Sequence, residues 1–188
     1  MSWGRDFVNQ VLMEIENNIL KPLEDIESSV EGIIEGITEG LNVDKPRVIA
    51  TINPINECDN SQDNGNCQAI VGKYFINESI ILINYKVDMN TILHLLAHHI
   101  NAIEIGRTKY AQIRRLEELR LPWELRPTEI TAMYRAAQLT RALSPRAWRA
   151  MSEEIRPRIR DIEERLSSDK VLVNNLDRQV RYIIESRR

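Results

Sequence analysis

Residues 91–105 read TILHLLAHHINAIEI and contain all three histidines of the 188-residue chain. Asp88 precedes this stretch as a candidate N-cap and Gly106 follows it as a candidate stop, so the pattern predicts one helix between them. His94 and His98 are four residues apart, and in a helix they leave the same face about one turn from each other. Two imidazoles at this spacing can bind one metal ion.

Zinc peptidases use this spacing in the pattern H-E-x-x-H, where the glutamate after the first histidine is the general base. Leu95 occupies that position here. A catalytic zinc site takes three protein ligands, and a carboxylate often serves as the third. Glu129, near the start of a later predicted helix, is the candidate. The residues alone leave open that His94 and His98 are ordinary, partly buried histidines of an apolar helix.

Two helices are predicted before the histidine helix. Apolar residues follow helical spacing from Asp6 to about Leu20, and a second helix is predicted from Leu23 to about Leu41. In the second helix, EGIIEGITEGL repeats glycine every four residues, which places these glycines on one stripe. The stripe predicts close packing against another helix or the sheet. Its members are Gly32, Gly36 and Gly40.

The segment between these helices and the histidine helix is rich in β-branched and aromatic residues, which favours strands. Three strands are predicted: Val48–Ile52, Ala69–Ile76 and Ile80–Tyr85. The last two are expected to form a hairpin, and Pro54–Asn66 is expected to be a long loop. Cys58 and Cys67 bracket eight residues of this loop region, and both free thiols and a loop-closing disulfide fit the spacing.

The chain after the histidine helix predicts further helices. A charged helix is expected over Lys109–Leu121, and the next over Thr128–Leu143. The apolar face of that second helix carries Ile130, Met133, Tyr134, Ala137 and Leu139. From Pro145 onward, Pro157 is expected to kink or restart the helix, and residues 167–169 are expected to break it. The resulting two heptad-like helices predict a helical hairpin or a dimer seam.

The composition is that of a globular chain, with 43% apolar and 28% charged residues. No apolar run reaches the roughly 18 residues that a membrane span needs. The N-terminus also lacks the layout of a signal peptide. We therefore expect no membrane contact and a cytoplasmic location. The same location is expected if an intracellular virus or mobile element expresses the protein.

The net charge of −3 hides an asymmetry between the two parts of the chain. Residues 1–104 carry 6 Lys/Arg against 16 Asp/Glu, and residues 105–188 carry 19 against 12. The basic part mixes both signs, as in RLEELR and RDIEER, which is typical of a solvated helix face with ion pairs. Nucleic acid is therefore not the expected partner.

Two stretches together resemble a known family. ESIILINYKVDMNTILHLLAHHINAIE and the later RPTEITAMYRAAQL resemble the ImmA/IrrE-like intracellular zinc peptidases over about Val48–Leu143. The resemblance implies an α+β, zincin-like fold with a small three-stranded sheet and an active-site helix. Residues 1–45 would then be N-terminal helices, 46–143 the zincin-like core and 144–188 an additional C-terminal helical hairpin, with one compact domain as the alternative.

The same resemblance implies a set of site residues. In this family a later helix carries an E-x-x-A segment whose glutamate completes the zinc site, and Glu129 with Ala132 matches it. Zinc ligation by His94, His98 and Glu129 is therefore implied. His99 is not expected to be a ligand, because it points about 100° away from His98 on the helix.

Leu95 is the departure from the family pattern, and it changes the expected function. Leucine cannot exchange a proton, and general acid–base catalysis contributes about 10²–10⁴ in rate. Glu104 is about 15 Å further along the helix and cannot substitute. We expect a catalytically impaired pseudo-peptidase that binds zinc and acts as a binding or regulatory module for a protein or peptide. The alternative is a metal-free viral or mobile-element assembly protein that oligomerises through its C-terminal helices.

Overall fold

The computed structural model describes most of the chain. The described backbone comprises residues 20–58 and 67–185, together with residues 9, 13 and 17. Side chains are described as far as residue 167, except those of the two cysteines. The predicted helix of residues 6–20 and the oxidation state of the cysteines therefore lie outside the described part.

The described chain contains five α-helices and five strands, and this mixture confirms the predicted α+β class. In order they are α1 (Lys21–Leu41), β1 (Arg47–Thr51), β2 (Ile55–Cys58), β3 (Cys67–Ile70), β4 (Gly72–Phe75), β5 (Ile80–Asn84), α2 (Met89–Ile105), α3 (Arg107–Arg120), α4 (Pro127–Ala142) and α5 (Pro145–Glu185). A 3-10 turn at Trp123–Leu125 joins α3 to α4.

The strands form two sheets. The first has the order β1-β5-β4, with β1 parallel and β4 antiparallel to β5. The predicted hairpin is thus confirmed as β4 and β5. The prediction of one strand over Ala69–Ile76 is wrong, because the chain changes sheets at Val71 and β3 pairs with β2 instead. The predicted loop Pro54–Asn66 accordingly contains β2. A continuous apolar run does not mark where a strand changes its partner.

Helix α1 covers the free edge of β1 through glutamates. The backbone N–H of Ala50 donates to Glu27 Oε1 at 2.6 Å, and that of Val48 donates to Glu31 Oε1 at 3.3 Å. Four residues of helix and two residues of strand both advance about 6–7 Å. Carboxylates four residues apart therefore match amides two residues apart. These side chains occupy hydrogen-bonding positions that a neighbouring strand would otherwise use.

The glycine stripe of α1 does not pack closely against any residue that the structure describes, so the predicted close packing against the sheet or another described helix is wrong. A Cβ added to any of its three glycines has no described atom within 4 Å, apart from the backbone of its own helix. The buried face of α1 includes Ile26, Val30 and Ile34, which lie in the core. The glutamates contact β1 from another face, and the glycines lie on neither contact surface.

Helix α2 carries the three histidines through the centre of the core. The Asp88 carboxylate accepts a hydrogen bond from the N–H of Thr91 at 2.9 Å, as expected of an N-cap. The helix ends at Gly106, whose φ of 95° suits a residue without a side chain. Its fully buried aliphatic residues include Ile92, Leu93, Leu96 and Ile100. The helix packs against β4, α3 and α4.

The C-terminal part is one helix, so the predicted hairpin over residues 144–188 is wrong. Helix α5 has 41 residues and contains Pro157 without ending there. Ile155 and Ile162, on either side of this proline, are buried in the same core cluster as α1 and α2. Packing on both sides holds the helix together across the missing hydrogen bond. No described helix is both long enough and apolar enough for a membrane span.

Candidate metal centre

The structure brings the three predicted ligands together. Nε2 of His94 and Nε2 of His98 each lie 3.1 Å from Oε2 of Glu129, and the two nitrogens are 3.1 Å apart. Ligand atoms of a tetrahedral zinc site with bonds of about 2.0–2.1 Å lie about 3.3 Å from one another. The triangle of one oxygen and two nitrogens therefore fits three of the four positions of such a site.

Glu129 is held in the first turn of α4 by a cap that comes from α3. The backbone N–H of Thr128 donates to both carboxylate oxygens of Glu117 at 3.2 Å, and its hydroxyl donates to Oε2. Glu117 is buried, and its negative charge lies at the positive end of the α4 dipole. Sequence analysis missed this residue. The sequence did hold a signal for such a cap. Arg126, the N-cap residue before Pro127, has no side chain that caps the helix, so another residue has to do so.

Tyr110 of α3 orients His98. Its hydroxyl lies 2.7 Å from Nδ1 of His98, and both side chains are buried. If a metal were bound, the phenolic oxygen would accept the Nδ1 proton and the Nε2 lone pair would be left for the metal. Without metal, the other neutral tautomer lets the phenol donate to Nδ1 and Nε2 donate to Glu129. Burial lowers the pKa of His98 to about 4, outweighing the nearby Glu129 carboxylate, so the ring is neutral at pH 7. Burial also raises the pKa of Tyr110 to about 12, which keeps the phenol protonated.

Arg114 neutralises Glu129 through the carboxylate oxygen that does not contact the histidines. Its Nη2 lies 2.9 Å from Oε1 of Glu129, the oxygen that the histidines do not share. Burial alone raises the pKa of Glu129, but hydrogen bonds from His94 and His98 and the charge of Arg114 hold it well below the usual range. Sequence analysis missed Arg114. Its spacing from Tyr110 and Glu117, at i, i+4 and i+7, places the three side chains on one face of α3, but the spacing does not show that this face turns inward.

Leu95 points into the core. It is 5% exposed, and a Cβ built on Gly72 of β4 would lie 2.6 Å from its Cδ1. The leucine thus fills the space that the glycine leaves. Within the described residues, His94, His98 and Glu129 form the one group of three potential metal ligands, and Glu129 is its only carboxylate. Glu104 pairs instead with Arg135.

His99 lies outside the cluster, on the side of α2 that faces the sheet. Its Nδ1 is 3.0 Å from the hydroxyl of Tyr74, and its Nε2 donates to the carbonyl of Asp44 at 2.6 Å. Both ring nitrogens therefore have protein partners. Burial lowers its pKa, as it does for His98.

Comparison with family models, with curated proteins and with solved structures gives no match for this chain. The resemblance to the ImmA/IrrE-like peptidases therefore stays a prediction that rests on the quoted stretches. The chemistry of the centre follows from its own residues. Two imidazoles and a carboxylate form a donor set that suits zinc.

Proposed function

We propose that this protein is metallopeptidase-like, holds zinc with His94, His98 and Glu129, and serves as a binding or regulatory module. The observation that carries the proposal is the triangle of ligand atoms with 3.1 Å sides beside a buried Leu95. A zinc ion bound there would supply a Lewis acid. Its protein ligands would be oriented by Tyr110 and by the Glu117 cap of α4.

The charged residues near the centre support a binding role over efficient hydrolysis. A general base must come within hydrogen-bonding distance of the proton it removes. Leu95 has no such group, Glu117 is bonded to Thr128, and Glu104 is paired with Arg135. Without a base, the expected loss is about 10²–10⁴ in rate.

An apolar stripe on α4 supports the partner-binding half of the proposal. Ile130, Met133 and Tyr134 are 47%, 45% and 67% exposed. The helix turns Glu129 and Ala132 inward, so its other apolar face points to solvent. Exposed apolar patches of this kind often mark protein or peptide contacts. The stripe begins beside the candidate ligand and leads away from it along the helix.

Metal analysis of protein made without a histidine tag tests the site. After dialysis against zinc and removal of loose metal, we expect one zinc per chain. His94→Ala and Glu129→Gln should abolish retention, because two ligands hold zinc far more weakly than three. Glu104→Gln is the matched control, because it changes a carboxylate that lies on the histidine helix α2 but outside the cluster. Fewer than about 0.2 zinc per chain in the unaltered protein would rule out the site.

A Leu95→Glu variant tests the peptidase-like half. If the fold and ligands are those of a zinc peptidase, the variant should gain casein hydrolysis that a chelator abolishes, while the Leu95→Gln variant should not. Circular dichroism must show that both variants fold, because position 95 is buried. A folded, zinc-loaded Leu95→Glu variant without hydrolysis would contradict the relationship to peptidases.

The length of α5 favours a second candidate, assembly through this helix. Its 41 residues span about 60 Å. The apolar spacing of its sequence continues through Leu172, Leu176, Val180 and Ile183. Light scattering should then report a dimer or larger species that Leu176→Asp converts to a monomer. A monomer at high protein concentration would exclude this role.

A further inference from the structure

Arg114 touches two of the three candidate ligands. Besides its 2.9 Å contact with Glu129, its Nη1 lies 3.3 Å from Nδ1 and 3.5 Å from Nε2 of His98. The guanidinium therefore lies within 3.5 Å of both ring nitrogens of His98. The side chain is 14% exposed. A permanent positive charge thus lies against the donor atoms of a site built for a cation.

We propose that Arg114 is a built-in competitor of the metal, which makes this site reversible and responsive to the available zinc. The inference rests on the proposed zinc site. Without metal, the guanidinium neutralises Glu129, and the histidines complete the hydrogen bonding of the other oxygen. The cluster can therefore stay assembled when zinc is scarce, and zinc must overcome the arginine to bind.

Two opposing effects of Arg114 decide whether it strengthens or weakens zinc binding. By orienting Glu129 it favours metal binding, and outer partners of this kind typically change affinity 10–100-fold. Its charge acts the other way. A unit positive charge about 5 Å from a divalent ion, at an effective dielectric constant of about 20, weakens binding by several powers of ten. Repulsion exceeds orientation, so Arg114 should weaken the site overall.

A second carboxylate gives the arginine another partner. Oε1 of Glu118, one turn along α3, lies 3.7 Å from Nη2 of Arg114. The Glu118 side chain is 46% exposed. When zinc takes over Glu129, a small rotation of the guanidinium toward Glu118 separates the two cations and keeps the arginine paired. This rotation would couple zinc binding to a change at the surface of α3.

Zinc affinity measured by competition with a chromophoric chelator tests the inference. Arg114→Met, which removes the charge but keeps much of the side-chain volume, should bind zinc at least tenfold more tightly than the unaltered protein. Arg114→Lys, which keeps the charge, should stay within about threefold of it. Arg115→Met removes a charge from the next, exposed position and should have no effect. Arg114→Gln serves as a second neutral variant if Arg114→Met does not fold.

The outcomes separate this inference from the proposed function. Unaltered protein that binds zinc, with unchanged or weaker binding in the neutral variants, overturns the competitor role and makes Arg114 a positioning residue. Failure of all folded variants to bind zinc overturns the zinc site as well. Tighter zinc binding by the neutral variants, with affinity close to that of the unaltered protein in Arg114→Lys, supports the competitor role.

Discussion

At the scale of single residues, Leu95 and Gly72 are matched to each other. Leu95 Cδ1 occupies the space where a Cβ at position 72 would lie. Gly72→Ala should therefore lower the free energy of unfolding by about 1–3 kcal/mol through overpacking. Leu95→Ala should lower it by about 2–5 kcal/mol through a cavity.

The double variant gives the sharper result. When Leu95 is truncated to alanine, the methyl group added at position 72 has room. The double variant should therefore lose less free energy of unfolding than the sum of the losses in the two single variants. Urea unfolding of the four proteins measures this coupling. Additive losses would mean that the close approach does not constrain position 95.

His98 makes a second prediction, on pH. Its folded pKa of about 4 lies below the unfolded value of 6.5, so between these values the unfolded chain binds a proton that the folded chain does not. Stability is thus complete above pH 6.5 and falls by up to about 3 kcal/mol as the pH drops toward 4. Below pH 4.5 the lowered pKa of Glu129 adds a further loss.

Urea unfolding in metal-free buffer across this range measures the slope. His98→Gln should reduce the slope without removing it, because burial lowers the pKa of His99 as well. A flat profile between pH 6.5 and 4 would contradict the neutral, buried state of His98.

The sequence allowed His94, His98 and Glu129 to be predicted, because spacing on helices and a family pattern both point to them. Arg114 and Tyr110 could not be predicted in the same way. Arg114 belongs to a stretch of alternating charges that is typical of a solvated face, and only tertiary packing against α2 turns it inward. Their roles depend on how α3 lies across α2, which no local pattern specifies.

At the scale of elements, the contact between α1 and β1 gives a third prediction. Glu27→Ala leaves the part-buried N–H of Ala50 without its acceptor, which should cost about 1–3 kcal/mol. Amide hydrogen exchange at Ala50 should become faster, since the edge of the sheet is open. Glu39→Ala, on the same helix but exposed, is the control and should change stability by less than about 0.5 kcal/mol. Equal exchange at Ala50 in both variants would show that the glutamate does not close the edge.

Predictions of elements succeeded where one local period decided the structure. Helix α2 has a capping aspartate, an apolar face and a terminal glycine, and each marks its boundary. The outcome differed where tertiary contacts chose among local options. The apolar run around Val71 is divided between two sheets. Helix α5 continues through Pro157 because residues on both sides of the proline pack in the core. In α4, burial of Glu129 turned Ile130, Met133 and Tyr134 outward.

At the scale of the whole molecule, metal binding should stabilise the fold but not be required for it. The cluster lies in a core that continues through α1, the first sheet and α5, and Arg114 balances Glu129 without metal. Protein treated with a chelator should therefore remain folded. Zinc at 100 times its dissociation constant should add about 2.7 kcal/mol of stability, and Glu129→Gln should lose this gain. Unfolding on chelation would contradict this arrangement and indicate a structural metal site.

The central claim is that His94, His98 and Glu129 bind one metal ion. Zinc-edge X-ray absorption of the protein loaded with one equivalent tests it most directly. We predict only nitrogen and oxygen neighbours at about 2.0–2.1 Å, with the multiple-scattering pattern of two imidazoles. Sulfur at about 2.3 Å would place the metal at Cys58 and Cys67, and a spectrum without imidazole scattering would equally contradict the claim.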